Sequence, residues 1–113
     1  MVVAPASVTG IPLRIIPDPE IGGPYLPAAD DPVAIDTPGS GADLMPGDMW
    51  PAHGWAIVLP NRTVWYSGIA AEDGSFWTVT GEAPNLTVHP SIDDRDPNRP
   101  WHGWIRNGEL VPA

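Results

Sequence analysis

The feature that most constrains the fold is the uneven distribution of proline and tryptophan. Nine of the sixteen prolines lie within the first 46 residues, whereas all six tryptophans lie between residues 50 and 104. Because proline lacks an N–H donor and fixes its own φ angle, the first part cannot form long helices or regular ladders. Tryptophan can bury about 150–250 Å² per side chain, so the second part can build a core. We therefore predict an extended Pro-rich arm over residues 1–48 and a small β domain over residues 49–113.

Apolar residues recur at every second position in much of the second part, which is strand spacing. The predicted strands span residues 55–59, 63–67, 76–80, 86–89, 101–106 and 109–111. Asn107-Gly108 joins the last two, because both residues of a type I′ turn need positive φ. Residues 91–100, with alternating charges and two prolines, are predicted to be a loop. The fold class is all-β: a small antiparallel sandwich or partly open barrel of about six short strands.

The arm has two interpretations. It either wraps its own sheet and covers the sheet edges, or it runs across other chains and becomes ordered on contact. We favour the second, with edge-strand pairing as the means of attachment. The predicted protein-contact residues are the apolar side chains of the arm, namely Ile11, Leu13, Ile15, Ile16, Ile21, Tyr25 and Leu26.

The charge of the chain excludes several classes of partner. The net charge is −9, with five arginines and no lysine. A surface of this sign repels phosphate backbones and anionic headgroups, so nucleic acids and membranes are not expected as partners. The chain has no cysteine, which excludes disulfides and thiolate metal sites. No signal peptide or membrane span is expected, since a basic start and a long apolar run are both missing.

Catalytic motifs are not evident in the sequence. Ser91 follows a proline instead of lying in a Gly-flanked elbow, so a serine nucleophile is not predicted. The adjacent carboxylates of residues 93 and 94 are interpreted as solvated surface. We predict no enzyme, no catalytic residue, no metal and no cofactor. A weaker alternative is a small metal-dependent enzyme that combines the three histidines with nearby carboxylates, namely His53, His89 and His102 with Asp93, Asp94 or Asp96.

The tryptophan-rich end of the chain is a candidate contact surface. Most of the tryptophans are expected in the core, and Trp101, His102 and Trp104 are predicted as an exposed contact. An aromatic face of this kind could bind a sugar, whereas base stacking would normally need a basic groove. His102 itself is interpreted as a packed or capping side chain.

The last third of the chain resembles a known group of proteins. It contains Phe76-Trp77-Thr78-Val79 and Gly81, then Pro90-Ser91-Ile92, then Trp101-His102-Gly103-Trp104-Ile105-Arg106-Asn107-Gly108. This order resembles small uncharacterised proteins encoded by tailed bacteriophages, in particular those that infect actinobacteria. The resemblance implies a viral origin and a small β domain. Some proteins with a related pattern carry upstream cysteines in a metal-like spacing, which this chain lacks.

These observations predict a bacteriophage virion structural protein. The predicted role is that of a capsid decoration or cement subunit, or of a minor head or tail component. Its partners would be other virion proteins, such as major capsid or tail subunits, and copies of itself. Its location would be the virion, assembled in the host cytoplasm. The alternative is a phage accessory protein outside the virion that binds a host protein or a small ligand.

Overall fold

The computed structural model describes residues 10–113, and within them it contains nine short strands and one helix of a single turn. The elements in chain order are β1 (Ile11–Pro12), β2 (Arg14–Ile15), α1 (Pro32–Ile35), β3 (Asp48–Pro51), β4 (Trp55–Val58), β5 (Val64–Tyr66), β6 (Thr78–Thr80), β7 (Thr87–Asp94), β8 (Trp101–Arg106) and β9 (Glu109–Pro112). The predicted all-β class is confirmed. The start of the arm, residues 1–9, lies outside the described residues.

The strands form two open sheets. One has five strands in the order β1-β9-β8-β7-β6, and the other has four in the order β2-β3-β4-β5. Neighbouring strands are antiparallel except for β2 and β3, which are parallel. The consecutive strands β1 and β2 therefore belong to different sheets, and Leu13 between them is buried. The short stretch 11–15 thus joins the two sheets along one side.

The main core lies between the sheets. Ile57 and Trp65 of the four-stranded sheet pack with Val88, Ile105 and others of the five-stranded sheet. In β4 and β5 the alternate residues face the other way and form a second apolar cluster. This outer cluster is made of Leu26, Leu44, Trp50, Ala56, Val58 and Val64. The four-stranded sheet is therefore apolar on both faces and needs a cover on its outer face.

The arm supplies that cover from within the same chain. Leu26 and Leu44, both from residues 1–48, are 1% and 5% exposed and lie in the outer cluster. Ile16 and Ile21 are half-buried against the same cluster. The arm therefore packs on its own domain, as the first of the two interpretations expected. The division at residue 48 stays a prediction.

The predicted arm contacts separate into two groups. Leu13 is buried between the sheets, and Ile11 packs against the same core, so neither is free for another chain. Leu26 is buried as well, so these three side chains pack within their own chain. The prediction that the arm contacts another chain stays a prediction. Ile15 and Tyr25 remain 47% and 62% exposed.

Polar side chains fix the arm in place. The Arg62 guanidinium donates hydrogen bonds to the carbonyl oxygens of Pro27, Leu44 (2.6 Å) and Gly41 (3.0 Å). Burial, and then the nearby charge of Arg99, lower the pKa of Arg62. Three carbonyl acceptors on one arginine compensate for part of its lost hydration. The arm is therefore anchored to the four-stranded sheet by both apolar and polar contacts.

Candidate functional site

The candidate site lies at a bulge in β7. The register of β7 with β8 pairs Val88 with Ile105 and Ile92 with Gly103. Three residues of β7 therefore stand opposite one residue of β8, Trp104. Bulges of this kind reorient side chains and are frequent beside active sites. The last residue of this bulge is Ser91.

The bulge brings Ser91 to His102 of β8. The His102 Nε2 atom lies 3.0 Å from the Ser91 Oγ atom, which is hydrogen-bond distance. His102 is exposed and Ser91 is half-buried. Ser91 thus has a hydroxyl in contact with a base, which is the arrangement that activates a serine nucleophile.

A carboxylate shares the outer face of the sheet with this pair. Asp93 of β7 stands directly opposite His102 in the ladder. Side chains opposite each other in an antiparallel pair lie on the same face, with Cβ atoms about 4.5–5.5 Å apart. The Asp93 Oδ2 atom accepts a hydrogen bond from Arg95 Nε at 2.8 Å, and this contact raises the pKa of Arg95. The Asp93 carboxylate thus lies on the same face of the sheet as His102 and is paired with Arg95.

An aromatic and cationic row extends from His102 along β8. The His102 and Trp104 rings have centroids 5.8 Å apart, and the Arg106 guanidinium lies 4.4 Å from the Trp104 ring centroid. A guanidinium over a tryptophan face is an attractive contact. His102 is thus flanked along β8 by an aromatic ring that carries a guanidinium on its face.

The main chain of Ser91 is held from the core. The Trp77 Nε1–H donates to the Ser91 carbonyl oxygen at 3.2 Å. The Trp77 ring in turn packs edge-to-face on the buried Trp65 ring, with centroids 5.3 Å apart. Such pairs add about 0.5–1.5 kcal/mol beyond burial. Two tryptophans therefore connect the position of Ser91 to the sandwich interior.

Gly103 of β8 allows the close packing next to His102. A Cβ atom at this position would lie 2.5 Å from the Trp101 ring and would also meet the Val111 carbonyl oxygen. Only glycine therefore permits the Trp101 ring to fold across the strand beside the site.

Two grooves flank the Ser91–His102 pair. The groove on the Ser91 side has a volume of about 470 Å³ and runs between β7 and the loop at residues 71–77. The groove on the His102 side has about 290 Å³ and is bordered by the loop that follows β7. Asp93, Asp94 and Arg95 line both grooves. Ser91 itself lines the larger of these grooves.

The predicted site residues have mixed outcomes. His102 and Trp104 lie on the outer face of β8, whereas Trp101 packs against the main core. The His102 ring contacts a serine hydroxyl. In residues 10–113 there is no group of three or more His, Asp or Glu side chains that could hold a metal. His53 instead packs edge-to-face on Tyr66.

Sequence reasoning missed Ser91. It dismissed this residue because a proline precedes it, and it placed residues 91–100 in a loop, whereas β7 continues to Asp94. The sequence signal was weak: Ser91 follows the predicted strand 86–89, and His102 lies in the next predicted strand, 101–106. Their contact depends on a bulge, which residue spacing alone does not reveal.

Comparison with known families gives one match. Residues 58–113, just under half of the chain, match the family model described as "Bacterial ubiquitination-like system serine protease (BubE)". Searches of curated proteins and of solved structures each gave no significant match. The matched region contains both Ser91 and His102.

This match corrects the functional predictions from sequence. The prediction of a virion structural protein is wrong, because the matched family belongs to a bacterial ubiquitination-like system. The predictions of virion partners and of a virion location are wrong for the same reason. The prediction that the protein is not an enzyme is wrong as well, because the matched family is described as a serine protease. The resemblance to phage-encoded proteins is not addressed by this match and stays a prediction.

Of the helices in the described part of the chain, none has the length and apolar character to cross a membrane.

Proposed function

We propose that the protein is a serine protease of a bacterial ubiquitination-like system, with Ser91 as the nucleophile and His102 as the general base. The observation that carries this proposal is the 3.0 Å contact between Ser91 Oγ and His102 Nε2 at the β7 bulge. A base within about 2.6–3.2 Å of the proton it abstracts has the required geometry. The family match over residues 58–113 supports the same class of reaction.

The reaction is the hydrolysis of an amide. The Ser91 Oγ atom attacks the scissile carbonyl carbon, and the hydroxyl proton passes to His102 Nε2. The imidazolium then gives that proton to the departing nitrogen as the C–N bond breaks, which leaves an acyl ester on Ser91. Water attacks the ester, His102 takes the proton of that water, and the proton returns to Ser91 Oγ as the ester bond breaks.

Asp93 contributes charge to this sequence. Its carboxylate lies on the same face as His102, in the opposite position of the ladder. A negative charge on this face of the sheet favours the imidazolium that forms during acyl transfer.

The test is covalent labelling with a fluorophosphonate, which reacts with activated serines. We expect one adduct per chain, located at Ser91 by peptide mass spectrometry. Ser91→Ala should abolish it, and His102→Gln should slow it by about 100-fold or more, since general-base catalysis contributes 10²–10⁴-fold. Ser40→Ala, a serine bonded to the Ala34 carbonyl in the arm, is the matched control. Labelling that persists in Ser91→Ala would refute the assignment.

A further inference from the structure

The groove beside Ser91 runs along a strand edge that lacks a partner. β6 pairs with β7 only as far as His89, which stands opposite Thr78. Beyond that point β7 continues for five residues to Asp94, paired with β8 on one side. On the other side, no strand of residues 10–113 pairs with this part of β7. Half of the strand that carries the nucleophile is therefore an open edge.

The backbone of Asp93 faces this open edge. The Ala113 N–H donates to the His102 carbonyl at 2.9 Å, so His102 directs its backbone groups toward the β9 side. In an antiparallel ladder, backbone groups of successive residues alternate between the two sides. Asp93, opposite His102, therefore turns its N–H and C=O away from β8 and into the groove. The Ser91 carbonyl faces the same side, where Trp77 is its donor.

The far wall of the groove has both apolar and acidic groups. Phe76 is 62% exposed and lines the groove, so its ring is available for contact with a ligand. The lining also includes the carboxylates of Glu72, Asp73, Asp93 and Asp94, against the single guanidinium of Arg95. The groove is therefore negative, with an aromatic surface on one wall.

We infer that the substrate binds in this groove as an extended peptide that adds a strand to the open edge of β7. The backbone N–H and C=O of Asp93 pair with the peptide main chain, as in other cases of strand addition. Because a strand rises about 3.3 Å per residue, Asp93 holds a position about two residues from the bond attacked by Ser91. The negative lining selects for Lys or Arg in this segment, and Phe76 selects for an apolar neighbour. The inference rests on the proposed protease function and adds its substrate class.

The first test uses the wild-type protein. A mixture-based pool of acetyl-tetrapeptide aminomethylcoumarins identifies the best peptide, which we expect to contain Lys or Arg and one apolar residue. Each amide of this peptide is then N-methylated in turn, which removes one donor and crowds the pairing edge. We expect one N-methyl position at which kcat/KM falls by about tenfold or more, as the loss of a backbone pairing implies. A uniform response to N-methylation at every position would overturn strand addition.

The second test removes the donor on the protein. Asp93→Pro deletes the N–H that faces the groove and spares the ladder with β8, and Asp93→Ala deletes only the carboxylate. We expect kcat/KM for the best peptide to be about tenfold lower in the proline variant than in the alanine variant. Equal values, in proteins with matching circular dichroism spectra, would refute the pairing.

The third test concerns charge. Glu72→Gln should reduce the preference for Lys over Gln in the peptide, and Glu82→Gln, on the loop before β7, is the matched control for the same loss of charge. An equal effect of the two variants would refute selection by the groove. Failure of the proposed function is distinguishable, because it would leave Ser91 unlabelled by the fluorophosphonate. If the peptide does not bind in the groove, Ser91 is still labelled, but N-methylation of the peptide, Asp93→Pro and Glu72→Gln lose their specific effects on kcat/KM.

Discussion

Truncation of Leu26 to alanine tests whether the arm is part of the domain core. Leu26 is 1% exposed and lies in the outer cluster with Trp50 and Val58. The site cannot collapse easily, because the surrounding backbone is already close: a Cβ atom built on Gly41 would lie 2.5 Å from Leu26 Cδ2. Removal of the side chain should therefore leave a cavity.

The expected loss follows from the burial. Leucine-to-alanine changes in cores cost about 2–5 kcal/mol, and we expect about 3 kcal/mol for Leu26→Ala. Domains of this size have total unfolding free energies of about 5–15 kcal/mol, so the loss is a large fraction. The melting temperature should fall by roughly 10 °C or more, since 1 kcal/mol corresponds to several degrees in a small domain.

The assay is urea unfolding followed by tryptophan fluorescence, with Trp50 of the same cluster as a local probe. Val33→Ala is the matched control, because this aliphatic residue also lies in the arm but is 76% exposed. Its effect should stay within about 0.5 kcal/mol. If the two variants have the same stability, the arm does not cover the four-stranded sheet and the reasoning fails.

Two further predictions concern the site and its groove. Trp77→Phe removes the N–H donor to the Ser91 carbonyl and keeps an aromatic ring against Trp65. In samples that remain fully folded, we expect the rate of Ser91 labelling to fall about fivefold, which corresponds to the loss of about 1 kcal/mol. An unchanged rate would show that Trp77 only fills space. The hydroxyl and then the N–H of Ser75 donate to Asp73 and lower the pKa of this carboxylate. The turn at Asp73 is therefore stabilised at pH values above the ordinary Asp pKa, which is about 3.9. This contribution is lost as the pH falls through the lowered pKa of Asp73. The Ser75 amide NMR shift should titrate below pH 4, and this step should be absent in Asp73→Ala.

The strands predicted correctly are those with a strong local signal. Residues 101–106 and 109–111 alternate in burial and are joined by Asn107-Gly108, and the structure has β8 and β9 there, with Asn107 at φ 48°. The hairpin of β4 and β5 was equally readable from β-branched and aromatic residues. In these segments a local pattern and a turn type determine the pairing without help from distant parts of the chain.

The parts that were missed depend on distant contacts. β3, which ends at Pro51, is not among the predicted strands, yet it pairs with β2 on one side and β4 on the other. β1 and β2 have two residues each, too few for any period to show. The arm looked unable to fold because its own apolar content is low. Its cost of ordering is instead offset by the outer face of the four-stranded sheet, a surface that only the tertiary structure reveals.

The site was missed for a related reason. The elbow expected for a serine nucleophile is a local motif, whereas Ser91 is presented by a mismatch of register between two long-range partners. The predicted strand 86–89 stopped before Pro90, but a bulge accommodates this proline and regular pairing with β8 resumes at Ile92. A rule based on residues that flank a nucleophile cannot detect a geometry that arises from strand pairing.

The placement of the site on a sheet has a consequence for how activity depends on the fold. Ser91 and His102 are held by the β7–β8 ladder, and the end of β7 is tied to the other sheet, since Asn61 Nδ2 donates to Asp94 Oδ2 at 2.9 Å and to the Arg99 carbonyl at 2.7 Å. The loop that contains Arg99 is in turn bound to the arm, because the Arg99 guanidinium donates to the Leu26 carbonyl at 2.7 Å. The arm, the four-stranded sheet and β7 therefore form one connected set of contacts. The contacts with the arm reach Asp94, which lines the groove, and do not reach Ser91 directly. A substitution that weakens the packing of the arm should therefore reduce peptide turnover more than it reduces the reaction of Ser91 with a small fluorophosphonate.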